Sequence, residues 1–418
     1  MRQNRNFWLY ALGRLVSLVG TGIQDVAIPL FILDLTGSGT IMGSFMIVTM
    51  VPRLVLYPLG GVVGDRVSRK WIMVWTDYGR GLVILLLAIL AYRGDLTVSG
   101  LFIAQFTVSL MSALFGPATE AMLPDIVEDD ELTRATSTMG GINGVSMIVG
   151  PALGGVIYGL GGIELAFLLN GVSFIASGFS EMFISYHQVT RRFESARAVI
   201  SDLREGFGFV RNTRAIMVLI AFALLVNAFS HPLFAVGIPY ILRVVIGFSP
   251  REFGIVQASF MGGLVLGNII IATFLAKRNV QDMLNRGLLA AMVMMFVTVA
   301  LFFPISLETL GYASLTMLVA LVVTFLLTGI FEAFINTPIN VEMQRLAPTE
   351  YRARVFAVLG VGTQGVVPIG FGVMGLALDI FPAHLIALGV TVASATIVVV
   401  FVVKYSKIVS SGLTNQAG

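Results

Sequence analysis

The chain has 418 residues, of which 57% are hydrophobic and 12% are charged, and its formal net charge is +3 at pH 7. An ordinary soluble domain carries about a quarter charged residues, so this composition excludes a soluble globular protein and favours a lipid-facing exterior. No cysteine and only three histidines occur, and the basic residues do not cluster on one soluble face, so we expect no disulfide, metal site, cofactor or nucleic-acid partner.

The first apolar stretch resembles a signal peptide, because it follows a short basic segment at the N-terminus. It runs from Phe7 to Leu33 and contains Arg14 and Asp25. The apolar region of a signal peptide is shorter and lacks charges. We therefore expect a retained membrane helix with a polar face.

Segments of roughly 20 apolar residues, each enough to cross the bilayer as a helix, recur along the whole chain. Their ranges are 8–34, 40–62, 71–92, 98–121, 135–158, 163–186, 215–242, 252–276, 284–303, 310–340, 353–378 and 382–404. This pattern predicts an all-α integral membrane protein with 12 transmembrane helices in two six-helix halves. The predicted domains are an N-terminal bundle (1–186), an amphipathic linker on the inner leaflet (187–214), a C-terminal bundle (215–405) and a tail (406–418).

The lysines and arginines set the expected orientation, because basic loops remain cytoplasmic. Most of the 26 fall in loops on one side of the predicted membrane, and only Arg93, Arg243 and Arg251 fall in loops on the other. We therefore expect both termini and the linker in the cytoplasm, with membrane lipids as partners of the linker arginines.

The two halves resemble each other. A shift of 220 residues aligns Gly140, Gly150 and Gly155 with Gly360, Gly370 and Gly375. An internal repeat in a membrane protein favours a transporter, since two repeats around a central site can alternate between inward-open and outward-open states. The alternative is coincidence, because glycine is common in transmembrane helices.

A motif follows the second predicted helix. Residues 61–70 read Gly-Val-Val-Gly-Asp-Arg-Val-Ser-Arg-Lys, which resembles the loop signature of major facilitator transporters, with Ser68 in place of the usual glycine. The resemblance implies the major facilitator fold. We expect Asp65, Arg66 and Arg69 to form a cytoplasmic gate with acidic residues at the end of the fourth helix. Those acidic residues are Asp125, the candidate partner of the arginines, and Glu120. The alternative is a topology anchor, which explains the basic residues but not Asp65.

A second motif lies in the fifth predicted helix. Gly150-Pro151-Ala-Leu-Gly154-Gly155 resembles the core of the antiporter motif of drug exporters and predicts a hinge, although Ser146 stands where that motif has a glycine. The alternative is a kinked, closely packed helix. Further resemblance is to a bacterial branch that includes macrolide and enterobactin exporters. The stretches that carry it are 115–118, 123–125, 131–135, 202–206 and 348–356.

Polar residues inside the predicted helices are the candidate site residues, because a charge at the bilayer centre costs roughly 2.5 to 3.5 kcal/mol on insertion scales. The resemblance implies that the first, fourth, seventh and tenth helices line a central cavity. The residues expected to bind substrate or protons are Asp25, Glu332, Arg14, Asn227, His231, Asn336, Asn340 and Gln105.

Two carboxylates are the main candidates for proton carriers. Asp25 shares a helix face with Arg14, but 11 residues of helix separate them by about 16 Å, so Asp25 needs a partner elsewhere. Glu332 forms one stripe with Asn336 and Asn340 at intervals of four. The alternatives are a structural ion pair for Asp25 and interhelical hydrogen bonding by the asparagines.

Other ionisable residues in the helices have structural interpretations. Asp77 and Arg80, three residues apart, predict an ion pair on one face of the third helix. His231 is either a packing residue or a group that titrates near neutral pH. Arg53 has two interpretations: it forms an ion pair in a gate, or its side chain faces lipid and extends to the membrane interface.

The resemblance implies export of a small amphipathic organic compound, of drug or siderophore type, across a bacterial-type inner membrane. From Asp25 and Glu332 we expect secondary active export coupled to the proton gradient. We expect a monomer. A lipid or lysolipid translocator or an uncoupled facilitator is the first alternative. A membrane receptor or enzyme is the second, but the sequence offers no catalytic constellation for it.

Overall fold

The computed structural model describes residues 4–185, 204–205, 207–275, 278–348 and 351–405, and this part of the chain is helical, without strands. We number its helices in chain order. They are α1 Arg5–Thr36, α2 Gly39–Arg66, α3 Arg69–Tyr92, α4 Val98–Met122, α5 Leu132–Met182, α6 Arg214–Val245, α7 Pro250–Leu275, α8 Val280–Leu301, α9 Pro304–Leu310, α10 Leu315–Leu346, α11 Arg352–Gly365, α12 Val367–Ile380 and α13 Ala383–Tyr405.

Eleven helical stretches in the described part are long and apolar enough to cross a membrane, the pair α11 and α12 counting as one stretch. The longest, α5, has 51 residues and is two helices joined at a break. At the break Gly162 has a φ of 61°, a backbone conformation that glycine adopts without steric cost. Two predicted segments, 135–158 and 163–186, meet at this break.

Two predicted segments need correction. The segment 310–340 begins too early, because residues 304–310 form the separate helix α9. Ser314 then starts α10, its hydroxyl accepting the Met317 amide at 3.0 Å. The segment 353–378 is two helices that meet at Val366, and Pro368 stands in the first turn of α12, where no helical hydrogen bond is lost.

The chain folds into two compact units. Unit 1 lies within Met1–Thr36, Phe45–Phe193 and Ser249–Ala258, and unit 2 lies within Gly37–Ser44, Glu194–Phe248 and Ser259–Gly418. The first turns of α2 therefore group with unit 2, and the first turns of α7 group with unit 1. Each unit contains one short segment from the other half of the sequence.

The predicted linker and tail lie largely outside the described residues. The described end of the linker packs on unit 2, where Phe209 stacks on Tyr351 with ring centroids 4.7 Å apart. Glu205 accepts a hydrogen bond from Arg354 at 2.8 Å, and Val210 is buried in the core of unit 2.

The glycines of the predicted repeat have matching surroundings. Gly150 packs against Gly22 of α1, and its counterpart Gly370 packs against Ala228 and Pro232 of α6. A side chain at either position would meet a neighbouring helix, so both are close helix contacts of the kind that small residues permit.

The second and third glycine pairs also match. Gly155 packs against the start of α7, and its counterpart Gly375 packs against the start of α2. Gly140 and Gly360 both face open space within 4 Å. The three aligned pairs therefore support an internal duplication over coincidence.

Candidate functional site

The candidate site in unit 1 centres on Asp25, near the middle of α1. Its side chain is exposed, although Gln24 and Val26 on either side of it are buried. Arg53 of α2, also exposed, lies within electrostatic range of the Asp25 carboxylate. A cationic side chain on another helix therefore lies near Asp25, as the expectation of a partner elsewhere in the protein requires.

Arg14 lies in a different environment from Asp25. Its Nε atom is buried without a hydrogen-bond partner, and its guanidinium lies 5.3 Å from the ring centroid of Phe115. Asp77 and Glu181 are within electrostatic range of Arg14. Arg14 is half-buried and belongs in part to a buried charge cluster, and its expected role in binding substrate or protons stays a prediction.

The buried charge cluster consists of Arg14, Asp77, Arg80 and Glu181, from α1, α3 and α5. The predicted ion pair between Asp77 and Arg80 is confirmed. The Arg80 guanidinium also lies over two rings, with 4.0 Å to the centroid of Phe115 and 4.6 Å to that of Phe174.

Glu181 is a cluster member that the sequence did not reveal. It is 0% exposed and accepts a hydrogen bond from the Ser177 hydroxyl at 3.4 Å. Its second carboxylate oxygen is buried and unpartnered. With two arginines and two carboxylates the cluster is balanced in charge, which lowers the cost of burying each member.

Unit 1 contains a second buried set of polar residues that was not predicted from the sequence. The Asn170 side-chain amide donates to the Gln24 side chain at 2.6 Å, and the Ser173 hydroxyl donates to the Asn170 carbonyl at 2.7 Å. The group joins α1 to α5 next to Asp25, so it fixes the helix that carries the candidate carboxylate.

The candidate site in unit 2 is a polar stripe along α10. Asn336 donates to the Glu332 carboxylate at 3.1 Å, and the Asn340 amide donates to the Asn336 backbone carbonyl at 2.8 Å. Both asparagines are exposed, and Glu332 is half-buried. Thr337 on the same helix donates to Asn268 of α7 at 2.8 Å, which adds a polar link from α10 to α7.

The remaining predicted binding residues make simpler contacts. The Asn227 amide donates to the carbonyl of Ala223, one turn earlier on α6, at 2.8 Å. His231 is exposed and faces the Phe371 ring, with centroids 6.1 Å apart. Gln105 is half-buried on α4. The structure does not join these three residues to the two carboxylates.

The predicted gate residues pair in part. Arg69 and Asp125 form the expected ion pair, with 2.7 Å between the guanidinium and the carboxylate and side-chain exposures of 11% and 29%. Arg66 is exposed. Glu120 is also exposed and lies near the Tyr57 hydroxyl. The side chain of Asp65 lies outside the described part of the structure.

The glycine motif of the fifth predicted helix forms a packing surface. Gly150 contacts Gly22, Gly154 contacts Ile23 and Val26, and Gly155 contacts the first turns of α7. The backbone stays helical through Pro151, and the non-helical break comes later, at Gly161 and Gly162. Bending at the motif therefore stays a prediction.

The arrangement offers accessible acid groups and amides. Among the described residues no group of three or more histidine, aspartate or glutamate side chains could hold a metal ion. An accessible carboxylate in the middle of a membrane helix can exchange a proton or bind a cationic group. Asp25 and Glu332 provide one such carboxylate in each unit.

The chain is similar to known proteins over most of its length. A sequence model described as Major Facilitator Superfamily matches residues 10–370. Macrolide efflux protein A of Streptococcus pyogenes is 24% identical over 375 residues, which cover 89% of this chain and 89% of that protein. Macrolide efflux protein A of Enterococcus faecalis is 24% identical over 336 residues, which cover 79% of this chain and 100% of that protein.

The fold also matches a solved transporter. A mutant of the nucleoside transporter NupG superposes with a TM-score of 0.77 at 13% identity, covering 96% of this chain and 100% of that one. At this identity the match establishes a shared fold.

Proposed function

Because the chain belongs to the Major Facilitator Superfamily, a family of membrane transporters and not of enzymes, we propose that it is a secondary active exporter of small amphipathic organic compounds, coupled to protons. Its place is the inner membrane of a bacterium, as the bacterial relatives suggest. The proposed topology counts the broken helix α5 as two crossings, which makes 12, and places both termini in the cytoplasm by the positive-inside rule.

One observation carries the proposal. Each unit has a carboxylate near the middle of a membrane helix that is not sealed inside the protein: Asp25 is exposed, and Glu332 is half-buried beside exposed Asn336. A charged group in hydrocarbon costs roughly 2.5 to 3.5 kcal/mol on insertion scales. Such groups mark substrate or ion pathways in membrane proteins.

The surroundings of the two carboxylates suit proton exchange. Asp25 has the cation Arg53 in electrostatic range, and Glu332 has the Asn336 amide as a neutral donor. Protonation of either carboxylate removes one negative charge from its surroundings. In our proposal, proton binding at Asp25 or Glu332 alternates with substrate binding while the protein cycles between inward-open and outward-open states.

The proposed substrate class rests on the names of the relatives and on chemistry. Two relatives are named for macrolide efflux, and amphipathic amines are common among macrolides. Carboxylates attract such amines, while the apolar side chains around them provide surface for the uncharged part of the molecule.

The test is transport in liposomes with an internal pH dye and an imposed pH gradient. A panel of amphipathic drugs, siderophores and lysolipids is added in turn. We expect substrate-dependent proton flux with an amphipathic amine, and its loss in Asp25→Asn or Glu332→Gln. Asp34→Asn is the matched control, since Asp34 is an exposed carboxylate at the end of α1 that accepts a hydrogen bond from Tyr158 at 2.8 Å.

Two outcomes would contradict the proposal. Substrate movement without proton flux, unchanged in both variants, would remove the proton coupling and indicate a facilitator. Movement of lysolipids alone, selective for one headgroup, would indicate a lipid translocator.

A further inference from the structure

The starts of α2 and α7 occupy equivalent places in the repeat. A Cβ added at Gly254 of α7 would come within 2.9 Å of the Gly155 Cα, and one added at Gly43 of α2 within 3.3 Å of the Gly375 Cα. Gly155 and Gly375 are counterparts in the repeat. The two helix starts therefore pack through the same kind of backbone contact.

A serine stands five residues before the packed glycine in both helices, and both serines act as helix caps. The Ser249 hydroxyl accepts the Glu252 amide at 3.4 Å, and the Ser38 hydroxyl accepts the Ile41 amide at 3.3 Å. A serine cap of this kind is usually completed by a carboxylate three residues later, which accepts a hydrogen bond at the start of the helix.

Helix α7 completes its cap with its own residue. Glu252 is three residues after Ser249, and its carboxylate accepts the Ser249 amide and the Ser249 hydroxyl, both at 2.7 Å. One turn after Gly155, Gly159 of α5 lies beside Pro250 at the start of α7. Gly159 has no side chain, so it adds no hydrogen bond to the cap of α7.

Helix α2 lacks the local carboxylate, because Ile41 stands three residues after Ser38. Asp379 of α12 takes its place. Its carboxylate accepts the Gly39 amide at 2.6 Å, the Thr40 amide at 3.0 Å and the Ser38 hydroxyl at 2.8 Å. The repeat counterpart of Asp379 is Gly159, so the carboxylate that caps the helix lies in the helix itself in one repeat and on its packing partner in the other.

We propose that Asp379 is a latch residue that holds the start of α2 on α12, so that parting these two helices breaks three hydrogen bonds to a carboxylate. At the equivalent contact of α7 on α5 the described counterpart of Asp379 is Gly159, which supplies no carboxylate. The proposal rests on the alternating access put forward above, in which these helix ends, on the outer side under the proposed topology, separate and rejoin. Its consequence is that Asp379 sets how often the outer side opens.

The absence of cysteine from the chain permits a direct test with one introduced thiol. Leu378 is 4% exposed and lies directly under Gly39, whose added Cβ would come within 2.8 Å of it. Leu378→Cys should therefore react slowly with a membrane-impermeant maleimide added from outside, and faster whenever α2 leaves α12. Asp95→Cys, in an exposed loop, reports the reactivity of an open thiol.

On the Leu378→Cys background we expect Asp379→Gly and Asp379→Asn to raise the labelling rate at least about tenfold, which corresponds to ~1.4 kcal/mol. Glu252→Gln is the matched control and should leave that rate unchanged, because its cap is local to α7. The double change Asp379→Gly with Ile41→Glu moves the carboxylate into α2 itself. It should recover the thermal stability lost by Asp379→Gly while labelling stays fast.

Two results would overturn the latch. One is a labelling rate that Asp379→Gly and Asp379→Asn leave within about twofold of the parent. The other is a return to slow labelling in the double variant, which would reduce Asp379 to a helix cap. Labelling needs neither substrate nor a proton gradient. The labelling experiment therefore tests the latch independently of the liposome experiment, which tests proton-coupled export.

Discussion

Replacing Arg80 with methionine should destabilise the protein more than replacing Arg80 and Asp77 together. In the buried charge cluster two arginines balance two carboxylates. Arg80→Met leaves Asp77 and Glu181 with Arg14 as the remaining cation, so one buried negative charge is uncompensated. The double variant Arg80→Met with Asp77→Asn keeps Arg14 and Glu181, and the cluster is balanced again.

The expected magnitude follows from the burial of the pair. Asp77 is 0% exposed and Arg80 6%, so loss of one partner falls in the range of about 3 to 5 kcal/mol for a broken buried ion pair. Arg80 also loses its position over the Phe115 and Phe174 rings, each contact contributing about 0.5 to 2 kcal/mol. The double variant loses the ring contacts but not the charge balance, so we expect it to recover about half of the loss.

The assay is thermal unfolding of the purified protein in detergent, at one scan rate, followed by tryptophan fluorescence. Arg93→Met is the control, because Arg93 lies at the exposed end of α3 and its loss should change the unfolding temperature little. If the double variant unfolds at or below the temperature of Arg80→Met, charge balance does not explain the stability of the cluster and the reasoning is refuted.

Three further predictions concern packing and the proposed gate. Gly150→Val should lower the unfolding temperature, since its side chain would strike α1, whereas Gly140→Val, which faces open space, should change it by less than a third as much. Asn170→Ala should lower the free energy of unfolding by about 1 to 3 kcal/mol, because the buried Gln24 side chain loses its hydrogen-bond donor. The loss is measured as a decrease in the unfolding temperature. Exchanging the charges of Arg69 and Asp125 should restore most of the transport rate lost by Arg69→Asp alone, and no recovery in the double variant would contradict a direct ion pair.

Interactions within one helix, or between residues of opposite charge at helix ends, could be predicted from the sequence. The pair Asp77 and Arg80 followed from a spacing of three residues. The pair Arg69 and Asp125 followed from the motif and from placing both residues at the cytoplasmic ends of neighbouring helices. Both pairs are present, because helical spacing and the side of the membrane determine them almost completely.

Interactions among three helices could not be predicted in this way. Glu181 meets Arg14 and Asp77 only when the rotation of α1, α3 and α5 about their own axes is fixed by packing. Glycine contacts such as that between Gly22 and Gly150 set this rotation. The rotation of a helix about its axis cannot be deduced from a single sequence. For the same reason Asp25 was expected to have a partner on another helix, but its charged neighbour Arg53 could not be named.

The position of the candidate carboxylates followed from the distance to the helix ends, but their accessibility did not. Asp25 and Glu332 were both expected near mid-membrane, and both lie near the middle of their helices. Whether a mid-helix acid is sealed, as Glu181 is, or accessible, as Asp25 is, depends on the face that neighbouring helices cover. Apolar composition carries little information on that face, since lipid-facing and core-facing residues are equally hydrophobic.

The internal repeat preserves glycine contacts between helices but not the carboxylates of the candidate site, the gate or the latch. Under the same shift that aligns the glycines, Asp125 corresponds to Arg345, Glu332 to Ser112 and Asp379 to Gly159. The matched glycine contacts determine how helices pack in each half. Each glycine contact in one half therefore has an equivalent contact in the other half. None of these three carboxylates has a carboxylate as its counterpart. Each half therefore contributes different chemistry: an ion pair at the helix ends in unit 1, and a carboxylate with two asparagines in unit 2. A transporter whose halves differ in this way can bind and release an asymmetric substrate while its two repeats move by the same helix contacts.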